Sequence, residues 1–464
     1  MKDVVIVGGG ITGLAAAYRL QQLAPHRDVV LMEASSHLGG KIGTEKFDGF
    51  VLEWGPDCFL SRKPRGIGLC QELGLTTELV GRNPRYAQTF VLRNGRLHRL
   101  PEGLTGMIPT NLEALAHNTL LSTAAQARLA QEPDIPAAPA NGDESVAHFI
   151  ARRLGTETLE NLVEPLMAGI YAGQADQLSL AATFPQLRQL ELEHGSLLQG
   201  LTNHRPAANR TEYPPFVSFA GGMQTLVERL LEQLDGVTIC RETAVTNISK
   251  TVNGYRLSVN DKLNVETSVL IMTTPMYVSS KLLRGIDGAL AAVLAEIPYA
   301  STALVNFAFD EADVPELAGY GYVIPSVEGR EALACTWTSR KWQNRAPEGK
   351  VLIRVYIGRY GDDDVTAYED GRLLAIAQDE IRETLNITAE PLFQRIIRYP
   401  GAMPQYNMGH LDRLAMIERR LAGHDGLFLA GAAFHGVGIP DCIASGETAA
   451  AKVEERLQKS SRLL

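Results

Sequence analysis

From Lys2 to Ala34 the chain reads KDVVIVGGGITGLAAAYRLQQLAPHRDVVLMEA, and no other stretch narrows the possible folds as much. An apolar run, Val4 to Val7, ends in Gly8-x-Gly10-x-x-Gly13; a helical pattern follows, and a second apolar run, Val29 to Met32, closes on Glu33. This order predicts a strand, a tight turn, a helix and a second strand, the unit that holds a dinucleotide pyrophosphate at a helix N-terminus. Unpaired backbone N–H groups and the helix dipole favour anions there. Gly8 allows the turn, Gly10 lets backbone approach phosphate, and Gly13 lets helix and strand pack closely. Glu33 stands where a carboxylate accepts hydrogen bonds from ribose hydroxyls.

Two further glycine-rich segments extend the pattern. Beyond Glu33 the chain reads Gly39-Gly40-Lys41-Ile42-Gly43, then Trp54-Gly55-Pro56-Asp57. Near the other end a strand, Gly426 to Ala430, leads into GAAFHGVGIPD and a helix expected from Cys442 to Leu457, with Asp441 as its cap. Backbone N–H groups around Gly438 and Ile439 would stabilise negative charge on a ligand bound at that end.

The composition limits the alternatives. With 464 residues the chain should hold two or three domains, and 45% apolar with 21% charged residues is the balance of a globular protein. A net charge of −9 argues against nucleic acid as a partner. Five cysteines without a CxxC suggest neither a metal site nor a disulfide framework and fit a reducing compartment, so the expected location is cytoplasmic. No apolar stretch is long enough to span a bilayer, which leaves peripheral contact through an amphipathic surface open.

Residues 104–205 read as mainly helical, with helices expected over 145–154 and 157–166 and a loop at Pro133–Gly142. Strands are expected within 236–259, over 267–274, and at 302–309, 320–325, 333–338 and 351–357, with an amphipathic helix over 370–385. The fold class is therefore α/β (α+β overall): a discontinuous Rossmann-like dinucleotide-binding domain, FAD-binding by the resemblance given next (1–85, 210–285 and 415–464), a β-sheet substrate domain (86–103 and 286–414) and an inserted helical domain (104–209).

GxGxxG, an acid and GG(K) together resemble the flavoprotein superfamily of amine oxidases, phytoene desaturases and porphyrinogen oxidases, which bind FAD. Further strings are NLVEPLMAGIYAGQADQLSLAATFP (161–185), CTWTSRKW (335–342), AMPQYNMGH (402–410), GAAFHGVGIPDCIASG (431–446) and GPDCFLSRK (55–63). Across essentially the whole chain these resemble the bacterial porphyrinogen oxidases of haem biosynthesis, the soluble Gram-positive type. The resemblance implies six-electron oxidation of a porphyrinogen, coproporphyrinogen III in the first instance, with O2 reoxidising FAD and releasing H2O2. It leaves contact with other haem-pathway enzymes open, and in some relatives the helical domain touches membranes.

Carried over by position, the resemblance implies that Gly8, Gly9, Gly10, Ile11, Thr12 and Gly13 hold the pyrophosphate, with Glu33 and Ala34 at the adenosine ribose. Gly40, Lys41, Gly55, Pro56 and Asp57 should lie along the flavin, Val245 at adenine, and Val437, Gly438 and Ile439 at the flavin's far end. Tyr399 stands where relatives often carry Trp, Lys41 where most carry Arg, and Trp54 where close relatives carry Arg. For substrate, Lys63 matches a position linked with propionate binding, with Arg62 or Arg65 assisting; the alternative is a solvated basic turn. Gly169 matches a glycine lining the porphyrinogen cavity, or else caps a helix. No side chain stands out as a general base; His435 is a candidate proton acceptor, set against an ordinary loop histidine.

Three other readings remain at this point. Protoporphyrinogen IX carries two propionates where coproporphyrinogen III carries four, and a second basic cluster would favour the latter. An amine oxidase or carotenoid desaturase is more distant, because 6% aromatic content makes an amine-binding cage harder to build. A non-catalytic binder of the same fold would not need the intact glycine turn with Glu33 or the C-terminal loop.

Overall fold

The computed structural model describes residues 1–139, 142–203 and 212–461. β1 (Lys2–Val7) runs into α1 (Ile11–Leu23) and then β2 (Val29–Met32), and the two strands pair in parallel from Val4↔Val29 to Val7↔Met32. Val4, Val5 and Ile6 are fully buried, as a strand covered on both faces requires. The strand Leu263–Met272 lies on the other side of β1, Val237–Cys240 lies beyond β2, and Leu427–Leu429 pairs with the end of Leu263–Met272; all these pairs are parallel. The hairpin Val245–Thr251 and Gly254–Val259 completes this sheet in antiparallel fashion. The parallel strands share one carboxyl edge, the place where ligands bind in open α/β sheets.

A second seven-stranded sheet runs in the order 393–404, 299–310, 350–357, 332–337, 321–323, 90–93, 96–99. One face buries Val305, Phe307, Ile353 and Val355 beneath Leu373, Ile376 and Ile381 of the helix Asp370–Leu385. The third region, from Leu112 to Asn203, packs helices around Phe149, Ile150, Leu154 and Met167. It opens with a short hairpin, Leu104–Thr105 with Ile108–Pro109, in place of a helix.

The expected elements differ in instructive places. Residues 157–166 do not form one regular helix: a π-helical turn spans Leu159–Val163 and leads into Glu164–Tyr171. Pro165 has no N–H to offer the preceding turn, and a widened turn accommodates it. The C-terminal helix begins at Ile439, three residues earlier than expected, because Pro440 fits the first turn of a helix. The twelve-residue strand Phe393–Pro404 escaped notice since its pattern is broken by Arg395, Arg398, Pro400 and Gly401. Within the expected loop Pro133–Gly142, Glu132–Asp134 form a single 3₁₀ turn, and residues 140 and 141 lie outside the described residues. So does the expected boundary at 209/210.

The helical region is tied together by buried charge. Arg153 and Glu132 are both fully buried; Arg153 Nε donates to Glu132 at 2.7 Å, while Ser196 Oγ and the Leu197 N–H also donate to Glu132. Glu191, equally buried, pairs with Arg152 and Arg188 and stands 3.6 Å from Arg153. Burial alone would raise the Glu191 carboxyl, but hydrogen bonds from Arg152, the Ala138 N–H and Arg188 outweigh it and bring its pKa from 4.5 to about 2. A carboxyl lowered by folding contributes stability that is complete above its unfolded value and is lost as pH falls through its folded value. The thermal midpoint of the wild type should therefore fall more steeply than that of Glu191→Gln between pH 4.5 and about 2. At pH 7 the variant should be about 3 kcal/mol less stable, because it strands guanidinium groups built around a carboxylate. Calorimetry at the two pH values reads both effects; parallel pH curves would remove Glu191 from acid stability.

Candidate cofactor and substrate site

At the end of β1, Gly8 adopts φ +111°, and a Cβ on Gly13 would overlap the Gly8 carbonyl oxygen, so the turn closes only with glycine at both places. Gly10 precedes α1 in extended conformation, no side chain caps the helix, and its first turn carries no acidic residue. The N–H groups of Ile11 and Thr12 thus have no intrahelical partner and remain free for an anion. The second glycine pair packs directly on the first. The Gly39 N–H donates to Gly9 O at 2.8 Å, and a Cβ on Gly40 would stand 3.1 Å from Gly10 Cα.

Glu33 is held in place by its neighbours. Its Oε2 accepts from the Gly9 N–H at 2.7 Å, and its Oε1 accepts from the Ser35 N–H and hydroxyl at 2.9 and 2.8 Å. Each oxygen retains capacity for a ribose hydroxyl. Ala34 is exposed at the same rim. The Thr243 N–H donates to Glu33 O at 2.8 Å, which brings the start of the strand Val245–Thr251 beside the acid.

Lys41 supplies the charge. Among the described residues no carboxylate acts on its ammonium, and the one charge interaction is with Cys442. Its side chain presents surface, yet burial pulls its pKa below the ordinary lysine value, as for a cation projecting into a space walled by protein. The same space borders Cys442, whose thiol is hydrogen-bonded to Thr12 in the first turn of α1. Two helix starts and an unpaired cation therefore lie side by side, an arrangement that fits a pyrophosphate.

The C-terminal loop approaches from the other end of the chain. Gly438 precedes the helix Ile439–Ser461, and Asp441 sits in the helix's first turn instead of capping it from outside. Its Oδ2 reaches back to accept from the Gly438 N–H at 3.2 Å, the return half of a capping box. The same oxygen pairs with Lys63, so this cation, expected to meet substrate, already holds the loop. The Ile439 N–H lies in the helix's first turn, where no carbonyl of the helix can receive it. Val437 packs against the core of the helical region.

Gly55, Pro56 and Asp57 pass between these parts. A Cβ on Gly55 would overlap Lys41 O, and the Tyr399 hydroxyl donates to that oxygen at 3.3 Å. Burial pushes the Tyr399 pKa up to about 12, so it stays a neutral donor. Trp54 packs its ring against Gly43 and lies 4.9 Å from the His37 ring, filling the corner beneath the GG turn. The Asp57 side chain turns away: Lys341 Nζ donates to it at 2.8 Å and Trp342 Nε1 at 2.9 Å. Burial alone would raise its pKa, but Lys341 and then Arg354 hold it well below the carboxylate range.

Of the expected substrate residues, Arg62 is exposed, and Arg65 is engaged with Glu447 at the C-terminal helix and with Glu72. Gly169 does not cap its helix; that place belongs to Ala172, and nothing stands within 4 Å of a Cβ built on Gly169. Nearby, Ala168, Ala172, Ala300 and Leu333 form a small apolar cluster joined by Tyr356 and Met403, where helical region and sheet meet. His435 is exposed and opens onto a groove of about 1000 Å³ between the helices His410–Leu421 and Ile439–Ser461.

Sequence reasoning did not single out Lys341, Arg354 or Tyr406. Arg354 is buried and donates to Gly55 O at 2.9 Å, Glu53 O at 2.7 Å and Asn306 Oδ1 at 3.1 Å, which locks the segment 53–55 to the second sheet. An arginine inside a strand of the pattern VLIRVYI was the available signal.

The chain is similar along its whole length to known proteins. Residues 11–454 match the family model of flavin-containing amine oxidoreductases. The chain is 38% identical to coproporphyrinogen III oxidase of Bacillus subtilis over 461 residues, covering 97% of each chain. It is 35% identical to the enzyme of the same name from Staphylococcus aureus, covering 97% of this chain and 99% of that one. A crystal structure from Exiguobacterium sp. 255-15, assigned as a protoporphyrinogen oxidase, superposes with a TM-score of 0.88 at 35% identity, over 98% and 99% of the two chains.

Gly13→Ala should leave a purified protein without yellow colour. Lys41→Met, with an unchanged melting temperature, should bind FAD roughly ten- to a hundredfold more weakly, the worth of a charge-assisted hydrogen bond of about 1.5–3 kcal/mol. Absorbance at flavin wavelengths after dialysis measures both. Full flavin retention by Lys41→Met would exclude that residue from the cofactor site.

Proposed function

Because the chain belongs to the family of flavin-containing amine oxidoreductases, we propose that it oxidises coproporphyrinogen III to coproporphyrin III with FAD as cofactor and O2 as final acceptor. The observation that carries the cofactor half is the unpaired Lys41 standing beside two helix starts whose first-turn N–H groups are free. The substrate half is supported by full-length similarity to two relatives named for that substrate.

Bound FAD supplies the two-electron chemistry: three rounds remove six hydrogens from the porphyrinogen while three O2 become three H2O2. The protein's own work is binding and orientation. In this reading Ile11, Thr12 and Lys41 hold the pyrophosphate, Glu33 the ribose, and Gly438 and Ile439 face the pyrimidine end, where the Ile439 N–H is the donor and the Gly438 N–H is held by Asp441. Gly55 and Pro56 form a wall fixed by Arg354, and the neutral Tyr399 closes the side near Lys41. Substrate enters where Gly169 leaves open space beside the apolar cluster of Ala168, Ala172 and Leu333. Lys63 would share its charge between Asp441 and a substrate carboxylate. No general base is assigned, since formation of an aromatic macrocycle drives the reaction.

Protoporphyrinogen IX is the second reading, favoured by the assignment of the Exiguobacterium structure. Five free cysteines support a reducing, cytoplasmic setting. No helix among the described residues is long and apolar enough to cross a membrane.

The test is an aerobic assay of the yellow protein with each porphyrinogen, following porphyrin fluorescence and peroxide. Faster turnover of the tetrapropionate substrate, with one peroxide per two electrons, is expected. Lys63→Ala should then raise KM about tenfold with less effect on kcat, as for a binding cation. Absence of acceleration with either substrate by FAD-loaded protein would overturn the assignment.

A further inference from the structure

Tyr406 belongs to the segment that leaves the second sheet and enters the helix His410–Leu421, and no role is assigned to it above. Its ring is almost wholly buried, stacked on His410 at 4.2 Å and 10° and lying 5.8 Å from the ring of Tyr171. Its backbone is fastened to the helical region: the Ser179 N–H donates to Tyr406 O at 2.8 Å, and the neighbouring Gln405 side chain donates to Tyr171 O at 2.7 Å.

The hydroxyl of this anchored ring stands between the two arms of the C-terminal glycine loop. It donates to Ala432 O at 2.6 Å and accepts from the Gly436 N–H at 2.8 Å. Gly436 has φ +139°, and a Cβ there would overlap the Asp441 side chain, so it is held between Tyr406 and Asp441. Asp441 in turn receives the Gly438 N–H, which directly precedes Ile439. The bond to Ala432 O needs the phenol proton, and burial raises the Tyr406 pKa far above the ordinary tyrosine value, so the proton stays. Phenylalanine would fill the same volume and make neither bond.

We propose that Tyr406 is a positioning residue for the cofactor: its hydroxyl clamps the loop Ala432–Gly436 so that the Ile439 N–H, next to the Gly438 N–H held by Asp441, faces the pyrimidine end of the flavin. The inference rests on the FAD reading above. The clamp acts mainly on the reduced cofactor, because negative charge at that end develops only on reduction. Its anchorage at Tyr171 and Ser179 also makes the helical region part of the apparatus that sets the cofactor's electron affinity.

Wild type and Tyr406→Phe, both loaded with FAD, are compared by anaerobic redox titration, visible circular dichroism and steady-state assay. The variant should keep its yellow colour and show an altered flavin dichroism. Its midpoint potential should be lower by about 30 mV, which corresponds to reduced FAD bound about tenfold less tightly relative to oxidised FAD. A fall in kcat with little change in KM should accompany that shift. Identical potentials and dichroism in the two proteins would overturn the proposal while leaving the FAD reading intact. Wild type unable to hold FAD would overturn both. If the variant fails to fold, amide exchange at Gly436 in the wild type decides: strong protection supports the clamp, and exchange at the rate of an open loop overturns it.

Discussion

The crossing of α1 with the C-terminal helix is the contact on which the cofactor end depends. A Cβ on Gly446 would overlap Thr12 O, and one on Gly13 would overlap Gly8 O, so three layers of backbone meet without side chains between them. Small buried residues continue the crossing, with Ala16 and Ala17 on one helix and Ala449 and Ala450 on the other. Close approach puts Thr12 against Cys442 and lets two helix starts share one space. Partial positive charges that would be weak singly then act on one anion with little water between. A bulkier residue at either glycine would push the starts apart, and Lys41 would be left as a desolvated cation with nothing to compensate it.

A second set of contacts joins this end to the other sheet, and its energetics differ. Asp57 with Lys341 and Trp342, and Arg354 with the carbonyls of Glu53 and Gly55, bury charges whose desolvation consumes much of what their pairing returns. Apolar residues of similar size could serve net stability as well. What the charged groups add is direction: a guanidinium held by Asn306 fixes the carbonyls of Glu53 and Gly55, on either side of Trp54, which apolar packing does not do. The position of segment 53–55 is thereby set by the second sheet, and the spacing between the two sheets becomes part of the proposed site.

How much of this was legible in the sequence follows from the range of the interactions. The β1–α1–β2 unit and the GG turn declare themselves locally, since glycine, apolar run and acid fall within a few dozen residues. The helix Asp370–Leu385 was equally clear from its periodicity, with the observed bounds matching the expected ones. Lys63 shows the opposite case. Its place in a basic turn beside GPD pointed to substrate, and nothing nearby in the sequence indicates Asp441 as its partner 378 positions later. Asp57 was placed along the flavin by resemblance, and nothing nearby in the sequence indicates that its carboxylate is paired with Lys341 and Trp342. Tyr406 resembles any tyrosine in a connecting segment until the loop that its hydroxyl bridges has folded back upon it.

Because Leu427–Leu429 and the helix beginning at Ile439 lie far downstream of β1, α1 and β2 in the chain, the nucleotide half-site made by those three elements leaves the ribosome long before its counterpart. Until then the α1 face around Gly13, Ala16 and Ala17 lacks its cover. The order of translation thus makes cofactor capture a late event, and the nascent chain passes through a stage in which its most distinctive motif is complete in sequence but cannot yet retain what it is built to hold.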